Sequence, residues 1–148
     1  MSYVRIYKKS NPIKDAKFYA AWNAAHDYCQ ACGVPAHLAA NQPHCAGVPL
    51  STHHIVKFCR SDEATNLLRL CYRCHQLAEG ANLRVDGDLL PKLKLPVCLT
   101  IKQARDPEVL NLERLAELFG RTLPDAEPIP EFIELSYRRW RPNDTQRR

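Results

Sequence analysis

A small α+β domain stapled by a four-cysteine zinc site is the fold this sequence predicts, with an N-terminal helix before it and a helical extension after it. Three observations point there. Two Cys-x-x-Cys pairs, Cys29 with Cys32 and Cys71 with Cys74, have the spacing that lets two thiolates on a tight turn reach one tetrahedral ion. Between the pairs lie two short segments of strand character, and the second pair opens a short helical pattern. The chain of 148 residues, 45% hydrophobic and 25% charged, has the size and composition of one globular domain with a modest core.

The first element begins at Asn11-Pro12, a capping side chain followed by a proline whose missing N–H costs nothing in a first turn. Phe18, Trp22, Ala25 and Cys29 then recur on one helical face, so the pair C-Q-A-C falls where the helix gives way to a turn. Residues 33–50 carry Pro35, Pro43, Gly47 and Pro49 and read as loop, with His37, His44 and Cys45 inside it. L-S-T-H-H-I-V-K-F, residues 50–58, is rich in β-branched residues and reads as a strand. Residues 60–65 are polar and loop-like, and N-L-L-R-L-C, residues 66–71, reads as a second strand. Y-R-C-H-Q-L-A-E, residues 72–79, is a compact helix stopped by Gly80.

The extension opens with a turn at V-D-G-D, residues 85–88. Leu93, Leu95, Val97, Leu99 and Ile101 alternate with other residues, which predicts an edge strand or extended arm interrupted by Pro96. Asp106-Pro107 starts a helix with Val109, Leu112, Ala116 and Phe119 on its apolar face and Gly120 as its stop. Pro124, Pro128 and Pro130 form a stiff linker. A last helix places Ile133, Tyr137 and Trp140 on one side and runs into Arg138, Arg139, Arg141, Arg147 and Arg148. The divisions that follow are 1–28 for the N-terminal helix, 29–82 for the zinc-stapled core and 83–148 for the extension with its basic tail.

The net charge of +5 and the pI of about 8.9 tilt the expected partner toward a polyanion. The first ten residues lack the apolar core and cleavage site of a leader, and the apolar runs are far shorter than a membrane span. A cytoplasmic, reducing location is expected, where the 7 cysteines serve as metal ligands or free thiols. The alternative for the two pairs is a set of redox dithiols, but paired Cys-x-x-Cys favours zinc. Cys45, Cys59 and Cys98 read as small buried thiols, with Cys45 as a substitute ligand. The gap between the pairs exceeds that of a simple zinc ribbon, and the insert carries T-H-H-I-V, residues 52–56.

The full order is C-Q-A-C, then H-H-I-V, then N-L-L-R-L-C-Y-R-C-H. Over about residues 26 to 80, roughly half the chain, this resembles the HNH endonuclease family in its zinc-stapled form. The resemblance implies a ββα-metal core in which two short strands and a helix clasp one divalent cation. It assigns His53 and His75 as ligands of that cation, His54 as general base, and Asn66 as the central residue holding the base-bearing loop and strand. It implies cleavage of DNA to 5′-phosphate and 3′-hydroxyl ends, with RNA left open, by a monomer or a dimer. Cys29, Cys32, Cys71 and Cys74 would hold a structural zinc. A zinc-stapled nucleic-acid-binding module without catalysis is the alternative reading.

The chemistry suits these residue types. A histidine near its ordinary pKa accepts a proton from water around neutrality, provided its ring is fixed in one tautomer by a hydrogen-bonding neighbour, a task suited to the Asn66 amide. A divalent ion, whether Mg²⁺, Mn²⁺ or Ni²⁺, stabilises the charge that develops on the phosphate and leaving group. Many relatives carry Asp where His53 stands, and imidazole ligands favour Mn²⁺, Ni²⁺ or Zn²⁺ over Mg²⁺. Glu79 stands one turn after His75 and either completes the shell or is a solvated surface residue. Adjacent residues on a regular strand face opposite ways, so a twist or strand end is expected at His53-His54. Lys57, Arg60, Arg69 and Arg73 around the motif, with Lys8, Lys9, Lys14 and Lys17 before it, are the candidate phosphate contacts. His26, His37 and His44 show no partner pattern and read as surface or loop.

Overall fold

The computed structural model describes residues 12–146. Helix α1, Pro12–Ala25, opens with the expected proline, while Asn11 lies outside the described residues. Its inward side differs from the expected face. Trp22 is buried and stacks with Phe18 and with His26, whereas Ala25 is exposed and Cys29 falls beyond the helix. The segment 33–50 is not all loop: it holds a short helix α2, Ala36–Ala39, and a 3₁₀ turn, Pro43–Cys45.

The centre of the molecule is strand β1, Ser51–His54, paired antiparallel with β2, Leu67–Leu70. Helix α3, Tyr72–Ala78, follows β2 directly, with Cys71 at its N-cap. β1 is shorter than the sequence suggested. It stops at His54, the expected strand end, and Ile55 and Val56 are buried in the turn beyond it. Leu67, Leu68 and Leu70 of β2 are all buried, so this strand is covered on both faces and lacks polar alternation. Gly80, at φ +90°, ends the turn after α3 as predicted.

The turn at residues 85–88 joins a small hairpin, β3, Arg84–Val85, and β4, Asp88–Leu89. Asp86 and Gly87 both have positive φ, the pattern of the tight primed turn. The expected extended arm at 93–101 is instead helix α4, Leu95–Arg105. Pro96 is a first-turn helix residue here, and the run continues through Lys102, Gln103, Ala104 and Arg105, all good helix formers. Val97, Cys98, Ile101, Lys102 and Arg105 are buried at the helical period, and Leu99 is buried beside them. The alternating leucines had mimicked period two.

A 3₁₀ turn, Pro107–Val109, precedes α5, Leu112–Phe119, whose first turn is capped by Asn111 Oδ1 accepting from the Arg114 amide at 3.0 Å. The helix therefore starts later than Asp106-Pro107 suggested. Its buried face is Leu115 and Leu118, and Leu112, expected inside, is exposed. Helix α6, Glu131–Trp140, buries Ile133 and Tyr137 as predicted, and a short α7, Pro142–Gln146, follows it.

Two features lock the extension onto the core. The buried Lys102 ammonium donates to the Leu67 carbonyl at 2.7 Å and to Asp106 Oδ2 at 2.8 Å, tying α4 to β2. Arg105, with Tyr137's ring 3.4 Å from its guanidinium carbon, donates to the Gln30 and Ala31 carbonyls of the first cysteine turn and to Glu134 of α6. Ser136 Oγ donates to the Cys32 carbonyl at 2.9 Å. Gly33 sits at φ +86°, and a Cβ there would lie 3.1 Å from Tyr137 Cα, so this turn needs glycine twice over.

Candidate metal centres

Each cysteine pair is presented by a turn built for it. In the first, the Cys29 amide donates to the Val34 carbonyl at 2.9 Å, and the Gly33 amide donates back to the Cys29 carbonyl at 2.8 Å. The Cys32 amide points at Cys29 Sγ at 3.4 Å. In the second, Cys71 caps α3 and Cys74 lies in its first turn. All four thiols are fully buried, and their sulfurs lie within 4.8 Å of one another. The Cys32 and Cys71 sulfurs are 3.7 Å apart. That is far beyond a disulfide bond of about 2.05 Å. It matches the edge of about 3.8 Å that a tetrahedron of about 2.3 Å zinc–sulfur bonds requires. The four-cysteine group fits a structural metal ion such as zinc. Cys59 and Cys98 are buried thiols, as expected, and Cys45 is buried within reach of Cys71.

A second group brings His53, His75 and Glu79 together, with one ligand atom of each within 4.8 Å of the others. Glu79 Oε2 lies 3.2 Å from His53 Nδ1 and 3.5 Å from His75 Nε2. Sequence spacing places His75 and Glu79 one helical turn apart, and the strand end brings His53 over them. Of the two roles open to Glu79, this geometry favours the ligand: its carboxylate faces both rings although the residue is 42% exposed. His53 is only 2% exposed, and its Nδ1, although 3.2 Å from Glu79 Oε2, has no hydrogen-bond partner. A buried, unsatisfied ring nitrogen facing a second imidazole and a carboxylate could hold a cation. Burial, reinforced by His75, pulls the His53 pKa down to about 4, and burial lowers that of His75. Burial opposes ionisation of Glu79, but Lys57 and the two rings outweigh it and hold its pKa below the usual carboxylate value. Ser51 Oγ, 3.1 Å from His75 Nδ1, fixes that ring with Nε2 toward the site.

His54 turns to the other face of the strand end. It lines an open pocket of about 320 Å³ with Thr52, Lys57, Arg60, His75 and Glu79. His54 Nε2 is 2.9 Å from Asp62 Oδ1, and the Tyr19 hydroxyl donates to the same carboxylate oxygen. In the tautomer with Nε2 protonated, the ring donates to this carboxylate and carries its lone pair on Nδ1.

The partner that orients His54 is thus Asp62 rather than the Asn66 amide. Asn66 is fully buried and acts on the backbone. Its Oδ1 accepts from the Val56 amide at 2.8 Å, and its Nδ2 donates to the Val56 and Ser61 carbonyls at 3.3 and 2.9 Å. Its own carbonyl accepts from Ile55 N–H at 2.8 Å. It pins the loop that runs from His54 to Asp62.

Of the four cationic residues singled out from sequence, Lys57 and Arg60 line the pocket, and Arg60 is held at φ 52°. Arg69 is spent internally, donating to the His26 and Leu50 carbonyls, and Arg73 lies over the ring of Phe132. Lys8, Lys9, Arg147 and Arg148 lie outside the described residues, as does the Lys14 side chain. His26 is not a simple surface residue: it bridges the Trp22 carbonyl and Asp106. His44 is likewise half-buried. Tyr19, Asp62 and Ser51 are the site residues that sequence reading missed. The nearest signal was an Asp eight positions after His54 in a polar loop. Among the described residues no helix is long and apolar enough to cross a membrane. Compared with family models, with curated proteins and with solved structures, the chain finds no match in any of the three.

Proposed function

We propose that this chain is a metal-dependent endonuclease of the HNH kind, hydrolysing DNA phosphodiester bonds with His54 as general base. The observation that carries this reading is the meeting of two chemistries at one pocket. The carboxylate-backed His54 shares a pocket with His75 and Glu79, with Lys57 and Arg60 on its wall, and the buried His53, outside that pocket, completes the donor group. The strand–strand–helix order of β1, β2 and α3 supports the reading, since a ββα-metal core would have that order.

His54 Nδ1 accepts a proton from water as that water's oxygen bonds to phosphorus and the P–O3′ bond breaks, the departing 3′-oxygen taking a proton from solvent. The Asp62 carboxylate holds the ring in the required tautomer and stabilises the imidazolium that forms. Tyr19 keeps the carboxylate in place. Asn66 keeps the loop between His54 and Asp62 from opening. Lys57 and Arg60 hold phosphate without reading sequence. His53, His75 and Glu79 would hold a divalent ion, which would supply positive charge where the phosphate and the leaving 3′-oxygen become anionic. Two imidazoles and one carboxylate suit Mn²⁺ or Ni²⁺ better than Mg²⁺.

Plasmid cleavage with Mg²⁺, Mn²⁺ and Ni²⁺, run beside His54→Ala, tests this. Nicking that His54→Ala abolishes at unchanged zinc content is the expected result. DNA binding without cleavage under every metal would replace the enzyme with a zinc-stapled binding module.

A further inference from the structure

We propose that the chain binds a second metal ion against the four-cysteine site, held by His44, Cys45 and the sulfur of Cys71, which the two ions share. A ring nitrogen of His44, Cys45 Sγ and Cys71 Sγ lie within 4.8 Å of one another. His44 Nε2 is shielded from solvent and has no hydrogen-bond partner. Among the described residues, the buried imidazole nitrogens without a partner are His44 Nε2 and His53 Nδ1, and each belongs to a residue in a group of convergent ligands. A buried imidazole nitrogen with no bond is costly unless something occupies it.

The backbone holds these donors rigidly. Pro43–Cys45 forms a 3₁₀ turn closed by Ala46 at φ 52°. The Cys45 amide donates to the Gln42 carbonyl at 3.0 Å, and the Val48 amide donates back to the Cys45 carbonyl at 2.9 Å. Cys45 is thereby delivered, fully buried, beside Cys71 at the cap of α3. Charge favours the arrangement. Four thiolates around one dication leave a double negative charge inside the protein, where it is poorly screened. A second dication bridged through Cys71, with Cys45 as thiolate, halves that excess. Two sulfurs and one imidazole select Zn²⁺ or its analogues Cd²⁺ and Co²⁺, and solvent takes the fourth position.

The test uses the full chain carrying His53→Ala and His75→Ala, which removes the imidazoles of the other candidate centre. Native mass spectrometry after zinc loading is expected to show two zinc ions in that background. Adding His44→Gln or Cys45→Ser is expected to leave one, with unchanged circular dichroism. ¹¹³Cd NMR of the background is expected to give two resonances coupled through the shared sulfur, and one after His44→Gln. If Cys45→Ser fails to fold, His44→Gln, at a half-buried loop position, decides alone. A single zinc in the background, or two that survive His44→Gln, overturns the proposal.

Discussion

Asn66→Ala is the substitution whose cost follows most directly from the geometry. The side chain makes three hydrogen bonds in a site with no solvent access, two of them shorter than 3.0 Å. At about 1 kcal/mol net each, their loss costs about 3 kcal/mol, and the Val56 amide left without an acceptor adds roughly 1 kcal/mol. Truncation should therefore remove about 4 kcal/mol, or roughly 10 °C in Tm for a chain of this size. Urea unfolding of the zinc-loaded protein measures the loss, and amide exchange at Val56 localises it. Asn66→Asp sharpens the test. It keeps an acceptor for the Val56 amide but turns a second oxygen onto the Val56 and Ser61 carbonyls. That carboxyl gains a partner only when protonated, so its pKa rises and the variant should recover stability as pH falls. A loss under about 1 kcal/mol for Asn66→Ala, with Val56 exchange unchanged, would refute the idea that this side chain pins the loop.

Asp62→Asn should lower nicking by about 10- to 100-fold, the usual effect of removing a group that orients a catalytic histidine, while zinc content stays constant; unchanged single-turnover rates would remove Asp62 from the mechanism. Because His53 is pulled to about 4 and His75 below its ordinary value, protons should begin to compete with Mn²⁺ only below the usual imidazole range of about 6.5. Calorimetric affinity is expected to stay level from about pH 7.5 to about 6 and to fall beyond that; a decline starting near about pH 7 would mean both rings titrate normally. Asp106→Ala should destabilise the fold by about 3–5 kcal/mol, since it strands the buried Lys102 ammonium. Adding Lys102→Met should restore much of that loss in chemical denaturation, and a double variant as weak as the single one would contradict it.

The parts of the site that sequence made legible are those where chemistry dictates residue type at fixed spacing. Cys29/Cys32 and Cys71/Cys74 each need a tight turn, and His75 and Glu79 are one helical turn apart, so local periodicity reveals them. Asp62 and Tyr19 were invisible because their meeting with His54 is set by the path of the loop and by α1, 35 positions away in the case of Tyr19. Helix α4 was misread because its leucines satisfy a period of two and Pro96 suits either an edge strand or a helix start. What decided it was the burial of Lys102 and Arg105, which find partners only once β2, the first knuckle and α6 are in place. His44 carried no signal, since its relation to Cys71 depends on where a proline-rich loop lands.

The contacts of α6 with the first cysteine turn bear on timing as well as on structure. Ser136, Glu134 and Tyr137 reach the Cys29–Cys32 segment, directly or through Arg105, from more than a hundred positions later in the chain. During synthesis the knuckle's thiols are available to an incoming ion well before this covering helix emerges. For an ion held by this group, capture and enclosure would be separate events, the second slowing release.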